Sequence, residues 1–377
     1  MSLRIQTYLL CLSCVPGSVA ELRADDIQSL LARVKAVGPE GAGNAGASAA
    51  SGELCERGPQ DLLDVLRAMD RAGPLAANWL RSAVDAIAEK ALADGRPLPA
   101  RGLEELVLDR SHDGHVRRLA YEWLLRVDPS ASDRLVPGML DDPAVELRRD
   151  AVARELVVAE KLLDEGKKGE ARSAFERLLP ASRDEDQVSR IAKKIEELGG
   201  KVDLARHFGF IRDWRIVGPF EGSGGVGYAT AYPPETALPE ALDLEKAEYP
   251  GKPGPVRWVE HTTADPGGVV DLNKALGKQM GVVAYGAARI RSAEERPVSV
   301  RAGTPNALKI WLNGRLVFTR EEYHHGSAMD QHRADGVLRK GENLILIKVC
   351  QNEQTDDWAQ SWSFQLRVCD LTGGGLQ

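Results

Sequence analysis

The spacing of hydrophobic residues changes near residue 200. Between residues 59 and 200 apolar side chains recur at helical spacing, for example Trp79, Leu80, Val84 and Ile87. Beyond Lys201 they form short runs separated by Gly and Pro, which is typical of β-strands. The pattern predicts an α-helical region at 59–200 and a β-rich domain at 205–370, with a short tail at 371–377.

Two elements are predicted in residues 21–58. Ile27, Leu30, Leu31 and Val34 follow an acidic pair and predict a short helix that ends near Gly38. Residues 41–52 consist of Gly, Ala, Ser and Asn, so they carry little apolar bulk to offset their ordering entropy. We expect a flexible linker there.

Two segments of the helical region echo each other. Residues 112–120 and 141–151 each place an acidic turn before a Val and an Arg-containing helix, about thirty residues apart. They resemble short HEAT-type repeats, although any capped amphipathic helix imitates one. Residues 155–179 look like one tetratricopeptide (TPR)-type helix pair, and residues 184–198 predict a closing helix. The interpretation is a HEAT/TPR-like repeat domain.

The β-rich part is organised around residues 308–317. Two apolar runs flank Asn313-Gly314, the dipeptide best suited to a type I′ hairpin turn. Further strands are predicted at 214–220, 256–259, 269–272, 282–290, 297–302, 344–350 and 362–369. So many short strands without an intervening helical pattern indicate an antiparallel β-sandwich.

Short motifs in this part carry a resemblance to known families. The "WLNG" hairpin at 311–314 and the "KGEN" turn at 340–343 resemble the jelly-roll sugar-binding domain of family 2 glycoside hydrolases and the wider galactose-binding-like sandwiches. The series "WRIVGPF", "YPPE", "VDLNKALG" and "WLNG" resembles a domain that follows helical repeats in exported bacterial proteins. The resemblance implies a non-catalytic jelly roll.

The first twenty residues predict export. Arg4 provides a positive start, an apolar stretch follows, and Ser18-Val19-Ala20 supplies the small residues that precede a cleavage site. The alternative is a mildly apolar start of a buried helix. We expect cleavage after Ala20 and a periplasmic or extracellular protein without an integral membrane span.

Composition narrows the list of partners. The chain has 49 basic and 56 acidic side chains, a formal charge of -7, and no long basic run, so nucleic acid is not an expected partner. Removal of the signal would leave Cys55, Cys350 and Cys369, an odd number. We expect buried free thiols.

Motifs for cofactors and catalysis are weak. Residues 222–227 satisfy G-x-G-x-x-G, but Pro233-Pro234 follows where a phosphate-binding helix would be needed. His324 and His325 are adjacent, and on a strand they would point to opposite faces, which disfavours a shared metal. No nucleophile elbow or HExxH motif is present. We predict no cofactor, no metal and no catalytic residue, although distant carboxylates can converge without a local motif.

Aromatic and polar loop residues give candidate ligand-binding positions, because sugars are bound by aromatic faces together with a few polar groups. Trp311 and Trp362 lie within strands and are expected in the core, whereas Trp258 and Trp358 are expected to be more exposed. The candidates are Tyr323, His324, His325, Asp330, Gln331, Asp357, Trp358 and Trp258.

These observations predict a non-catalytic exported binding or scaffolding protein. Its helical repeats would contact a protein partner and its sandwich would take carbohydrate. The alternative is a glycan-active enzyme or an accessory subunit of one.

Overall fold

A computed structural model of the chain describes residues 26–237, 242–245 and 247–376. The predicted signal sequence and its cleavage after Ala20 lie outside these residues. Contacts divide the chain into two compact units, Met1–Pro129 and Ser130–Gln377, so far as its described residues show. The helices after Pro129 therefore belong to the same unit as the sheets, and the unit boundary is not at the predicted position near residue 200.

The first unit is helical in its described part. Its helices are α1 (Ile27–Lys35), α2 (Asn44–Cys55), α3 (Leu62–Ala68), α4 (Pro74–Ala93), α5 (Ala100–Leu108) and α6 (Gly114–Val127). None of the helices described in either unit is both long and apolar enough to cross a membrane.

The prediction of a flexible linker at residues 41–52 is wrong. Most of this stretch belongs to α2, which packs against α1 and α4. Ala is the strongest helix former, and Ala47, Ala50 and Leu54 are fully buried in that contact. Packing against neighbouring helices therefore supplies the apolar burial that the small side chains of α2 could not provide by themselves.

The second unit begins with helices and continues with strands. Its helices are α7 (Ala131–Leu135), α8 (Val145–Asp164), α9 (Lys168–Leu178), α10 (Glu185–Glu197), α11 (Leu204–Phe208), α12 (Pro233–Thr236) and α13 (Leu272–Leu276). Its strands are β1 (Asp213–Glu221), β2 (Glu248–Gly251), β3 (Gly254–Arg257), β4 (Val259–Thr262), β5 (Val270–Asp271), β6 (Val282–Ser292), β7 (Arg296–Gly303), β8 (Ala307–Leu312), β9 (Arg315–Arg320), β10 (His332–Leu338), β11 (Gly341–Gln351) and β12 (Ser363–Cys369).

Helices α8 and α9 form the predicted helix, tight turn and helix, in which Gly166 takes a φ of 77°. The predicted closing helix is α10, and it buries Val188, Ile191 and Ile195 on one face. The two echoing segments lead into α6 and α8. That they are HEAT- or TPR-type repeats stays a prediction.

The strands form antiparallel sheets. One sheet has the order β4-β1-β6-β11-β8-β9, a second has β10-β7-β12-β5, and β2 pairs with β3. The predicted I′ turn joins β8 to β9, with φ values of 52° at Asn313 and 79° at Gly314. The edge strand β10 was missed in the sequence, because Arg333, Asp335 and Gly336 interrupt it and only Val337 and Leu338 are large apolar residues.

Strand β11, inside the six-stranded sheet, is buried on both faces, which explains its almost continuous apolar run. Ile345, Ile347 and Val349 point into the core between the two large sheets. Leu344, Leu346 and Cys350 point to the other face, into a second apolar cluster that includes residues of the 217–258 segment. We call that second side the outer face.

Cys350 and Cys369 are free and buried, as expected. Their strands do not pair with each other, however, because β11 lies in the six-stranded sheet and β12 in the four-stranded one. Cys55 is also free but only partly buried, which differs from the expectation.

Candidate functional site

The structure brings the two predicted ligand loops together. We call residues 321–331 the β9–β10 loop and residues 352–362 the β11–β12 loop. In the strand register, Cys350 near the end of β11 lies opposite Ala307, and Arg320 at the end of β9 lies opposite Leu308. Strands β11 and β9 therefore end on the same side of the six-stranded sheet. Both loops therefore leave the sandwich side by side.

His324 joins the two loops. Its backbone N–H donates to Pro305 O at 2.6 Å. Its Nε2 lies 2.8 Å from Asn352 Oδ1, which also accepts from the backbone N–H of Gln354, so Nε2 is the donor. The imidazole stands edge-on to the Trp358 indole, with 5.4 Å between ring centroids and an interplanar angle of 85°.

Trp358 is the most exposed large apolar side chain among the residues that the structure describes, at 65%. It lies in a 3-10 turn over Asp357–Ala359, where buried Ala359 anchors the backbone and its carbonyl accepts from Gln351 Nε2 at 2.9 Å. Asp357 beside it is exposed and accepts from Gln360 Nε2 at 3.4 Å. The turn thus presents an indole and a carboxylate to solvent from a fixed base.

Tyr323 lies beneath His324 and is not part of the exposed surface around Trp358. It is half-buried and packs against the apolar cluster of the outer face, with its ring 6.1 Å from that of His324. Burial raises the pKa of its phenol above the ordinary value. Tyr323 therefore helps to support His324.

His325 and Gln331 brace the β9–β10 loop. Gln331 Nε2 donates to His325 Nδ1 at 2.8 Å and to Gly326 O at 3.2 Å, while its Oε1 accepts from Thr304 N–H at 3.1 Å. The polar groups of Gln331 are thus engaged within the protein.

Asp330 was expected to face a ligand, and the structure corrects this. Its carboxylate is 90% buried and accepts from Arg367 Nε and Nη2 and from Arg301 Nη1, each at 2.6 Å. Burial opposes ionisation, but the hydrogen bonds and charges of the two arginines outweigh it and hold the pKa of Asp330 below its ordinary value. Since Arg301 and Arg367 are directly opposed across β7 and β12, Asp330 neutralises two neighbouring cations and fixes the loop.

Trp258 was expected to be exposed, and this was wrong. It is only 5% exposed and packs in the apolar cluster of the outer face with Val217, Phe220 and Tyr285. The sequence could not show that the segment around Trp258 covers a sheet face. Trp362 is fully buried as expected, and Trp311 is partly buried on the outer face.

The glycine-rich stretch 222–227 forms a loop pinned by side chains. Lys252 Nζ donates to Ser223 Oγ at 3.0 Å, and Glu353 accepts from the N–H of Gly224. The helix that follows, α12, has 4 residues. Within 26–237, 242–245 and 247–376, no group of three or more His, Cys, Asp or Glu side chains is arranged to hold a metal ion.

Sequence reasoning missed a buried charge cluster on the outer face. Lys348 is fully buried and donates to Tyr228 O at 3.1 Å, Thr230 O at 2.6 Å and Glu235 Oε1 at 3.3 Å. Burial lowers the pKa of its ammonium group. The sequence did hold an indication of this cluster, because Lys348 is a single charged residue within an otherwise apolar strand.

Two buried oxygens of this cluster are unsatisfied. Within the described part of the chain, neither Glu235 Oε2 nor Tyr285 Oη has a hydrogen-bond partner. Glu235 also lines a cavity of about 300 Å³ together with Trp311, Asn313 and Leu346. A half-satisfied carboxylate beside an indole and an amide is a second place that suits a polar ligand.

Comparisons with known proteins give limited matches. No protein-family model matches the chain, and no curated protein matches it. Among solved structures, it resembles a β-glucuronidase of Faecalibacterium prausnitzii with 14% identity and a TM-score of 0.25, over 43% of this chain and 32% of that one. It also resembles the GH31 α-xylosidase of Xanthomonas citri, with 11% identity and a TM-score of 0.18, over 30% of this chain and 15% of that one.

These findings correct the functional prediction. The expectation of a non-catalytic binding or scaffolding protein is contradicted. The two structures named above are glycosidases, in line with the alternative of a glycan-active enzyme or an accessory subunit of one. The chain matches about a third or less of the length of these enzymes. Because both TM-scores are below 0.5, the proposals below rest on the geometry of this chain.

Proposed function

We propose that this chain is a glycan-active enzyme or an accessory subunit of one, and that its β-sandwich binds carbohydrate at Trp358. The observation that carries the proposal is the exposed indole of Trp358, held against His324 where the two loops meet. An exposed indole offers a flat apolar face on which the C–H face of a sugar ring can stack.

The neighbourhood of Trp358 supports the choice of a sugar. The C–H face of a pyranose stacks on an aromatic plane, and its hydroxyls need donors and acceptors at the rim. Asp357 supplies an exposed acceptor, and Gln354 lies at the start of the same turn, with its Nε2 3.3 Å from Asp356 Oδ2. The His324 ring packs perpendicular to the indole and holds it from one side without stacking parallel to it.

Catalysis would need carboxylates, and Glu235 is the residue to test. Glycosidases use a pair of Asp or Glu residues about 5–10 Å apart. Glu235 is the one carboxylate among the described residues that line its cavity, and its Oε2 lacks a partner. This arrangement supports an accessory subunit more than a complete hydrolytic centre.

The test is a polysaccharide screen with two readouts, retention in affinity electrophoresis and release of reducing ends. We expect retention by at least one glycan, lost in Trp358→Ala and kept in Leu371→Ala, a change of another exposed apolar residue. Turnover that disappears in Glu235→Gln, while the circular dichroism spectrum and glycan retention stay native, would assign the enzyme. Retention without turnover in the wild type would assign the accessory subunit. Retention unaffected by Trp358→Ala contradicts the proposed surface.

We also propose the finer assignments that the resemblance implied, a galactose-binding-like jelly roll and export with cleavage after Ala20. The two antiparallel sheets that enclose one core support the first. The second rests on the sequence of residues 1–20. Expression in a bacterial host with recovery from the periplasm, followed by mass measurement, should give a chain that begins at Glu21.

A further inference from the structure

A basic pocket lies at the opposite end of β11 from Trp358. Strand β11 begins at Gly341, which pairs with Ser292 at the end of β6, whereas the loop of Trp358 follows the other end of β11. The pocket has a volume of about 350 Å³. Its charged lining residues are Arg206, Arg212, Arg289, Arg291, Arg296 and Asp213.

The charge of this pocket is opposite to that of the whole protein. The chain carries a formal charge of -7, yet five guanidinium groups and a single carboxylate line the pocket. Asp213 is moreover engaged as an acceptor by the hydroxyl of Thr262 at 2.7 Å. A concentration of cations in a concave surface attracts anions, and more strongly than isolated surface charges do.

Part of this charge is neutralised within the protein. Arg212 pairs with Asp203 at 3.2 Å, and Arg289 pairs with Glu342. Neither a salt bridge nor a side-chain hydrogen bond with a described residue is present for Arg206, Arg291 or Arg296. The pocket therefore keeps three cations available to a ligand.

Arg296 gives a second, independent indication. Its Nε is buried and has no hydrogen-bond partner among the residues that the structure describes. An unsatisfied buried donor is unfavourable, and an oxygen atom of a bound ligand would satisfy it. The planar guanidinium group suits carboxylate and sulfate because it can donate two parallel hydrogen bonds.

The rest of the lining is apolar. Ile211, Ile290 and Leu376 also line the pocket and are partly exposed. An inorganic anion needs only the charges, whereas a charged sugar also offers C–H surface that these side chains would cover. The combination matches a ligand with both an acidic group and a carbon skeleton.

We propose that this pocket binds the carboxylate or sulfate group of an acidic glycan through Arg206, Arg291 and Arg296. The inference rests on the proposed function, and it adds the substrate class: the protein acts on polysaccharides that carry acidic groups. Because Trp358 and the pocket lie at opposite ends of the sandwich, a long chain would contact the two surfaces at separate positions.

The experiment is calorimetric titration of the full chain with hexagalacturonate, with a neutral galactan hexasaccharide, and with sodium sulfate. We expect the acidic hexasaccharide to bind at least about tenfold more tightly than the other two, which corresponds to about 1.4 kcal/mol. The affinity for the acidic hexasaccharide should fall as the salt concentration rises from about 50 to about 500 mM, because exposed charges are screened. A dextran sulfate oligomer is titrated in the same way, to compare a sulfated glycan with the carboxylated one.

Arg206→Gln and Arg291→Gln should each weaken acidic-glycan binding by about tenfold, since both side chains are exposed and their loss leaves the fold intact. Arg315→Gln removes an exposed charge of the same kind from β9 and should leave the affinity unchanged. Arg296→Lys keeps the charge but loses the planar fork, and should weaken binding without unfolding.

The outcomes separate this inference from the proposed function. Equal affinity for the acidic and neutral hexasaccharides, or no effect of the two Gln variants, overturns the acidic pocket. Sulfate binding as tightly as hexagalacturonate overturns the assignment to a glycan. Trp358→Ala, measured in parallel, tests the proposed function alone, because its surface is remote from the pocket and carries none of these arginines.

Discussion

The side-chain amide of Asn313 donates a hydrogen bond to Oδ1 of Asn343 at 2.8 Å, and this bond joins the β8–β9 turn to the turn before β11. Asn343 Oδ1 also accepts from Arg339 N–H at 2.8 Å, and its Nδ2 donates to Arg339 O at 2.8 Å. Leu344 N–H in turn donates to Asn313 Oδ1 at 2.9 Å. The "WLNG" and "KGEN" motifs therefore act as one structural unit.

This clamp leads to the first prediction, which concerns stability. Asn343 is 1% exposed, so Asn343→Ala leaves several buried backbone and amide groups without partners. We expect a loss of about 2 kcal/mol or more in the free energy of unfolding, the cost of such groups. Urea denaturation should show it, while Lys340→Ala in the same turn should stay within about 0.5 kcal/mol of wild type.

The second prediction concerns pH. Because the folded-state pKa of Asp330 is below its unfolded value, its contribution to stability is present above the unfolded pKa, near 3.9. It is lost as pH falls through the folded pKa. We expect Asp330→Asn to cost about 3 kcal/mol at pH 7, because two arginines lose their buried partner.

The measurement is urea denaturation between about pH 2 and 7. Wild type should lose stability below about pH 4, and Asp330→Asn should lose less over the same range. Asp335→Asn on the exposed side of β10 is the matched control. Parallel pH profiles for wild type and Asp330→Asn would show that the ion cluster does not contribute.

The third prediction concerns the buried pair on the outer face. Lys348→Met should destabilise the protein by about 3 kcal/mol, because the carboxylate of Glu235 remains buried without its cation. The double variant Lys348→Met/Glu235→Gln should recover a large part of this loss. A double-mutant cycle from urea denaturation measures the coupling. Simply additive single effects would mean that the two charges do not depend on each other.

Local turn chemistry made the centre of the sandwich predictable. Asn313-Gly314 specifies an I′ hairpin through backbone conformation alone, and β11 is apolar because both of its faces are buried. The wrong prediction of a linker at residues 41–52 has a related cause. Their small side chains indicate little apolar burial, but helix α2 is stabilised by packing against α1 and α4, and this packing cannot be read from the sequence of residues 41–52.

The site was predictable in its parts but not in its arrangement. An exposed Trp358 follows from its polar surroundings, and that expectation is confirmed. The meeting of His324 with Trp358 depends on strand order, and the burial of Trp258 depends on which segment covers the outer face. Both are long-range properties. Asp330 was misassigned because its arginine partners lie 29 and 37 residues away.

The fourth prediction tests the central claim, carbohydrate binding at Trp358, by calorimetric titration of the best glycan from the polysaccharide screen. Loss of a stacked indole should remove about 1 kcal/mol or more, so Trp358→Ala should weaken binding by about fivefold to tenfold or beyond. Trp358→Phe should retain part of the affinity, and Leu371→Ala all of it. An unchanged dissociation constant in Trp358→Ala, with a native circular dichroism spectrum, would contradict the account.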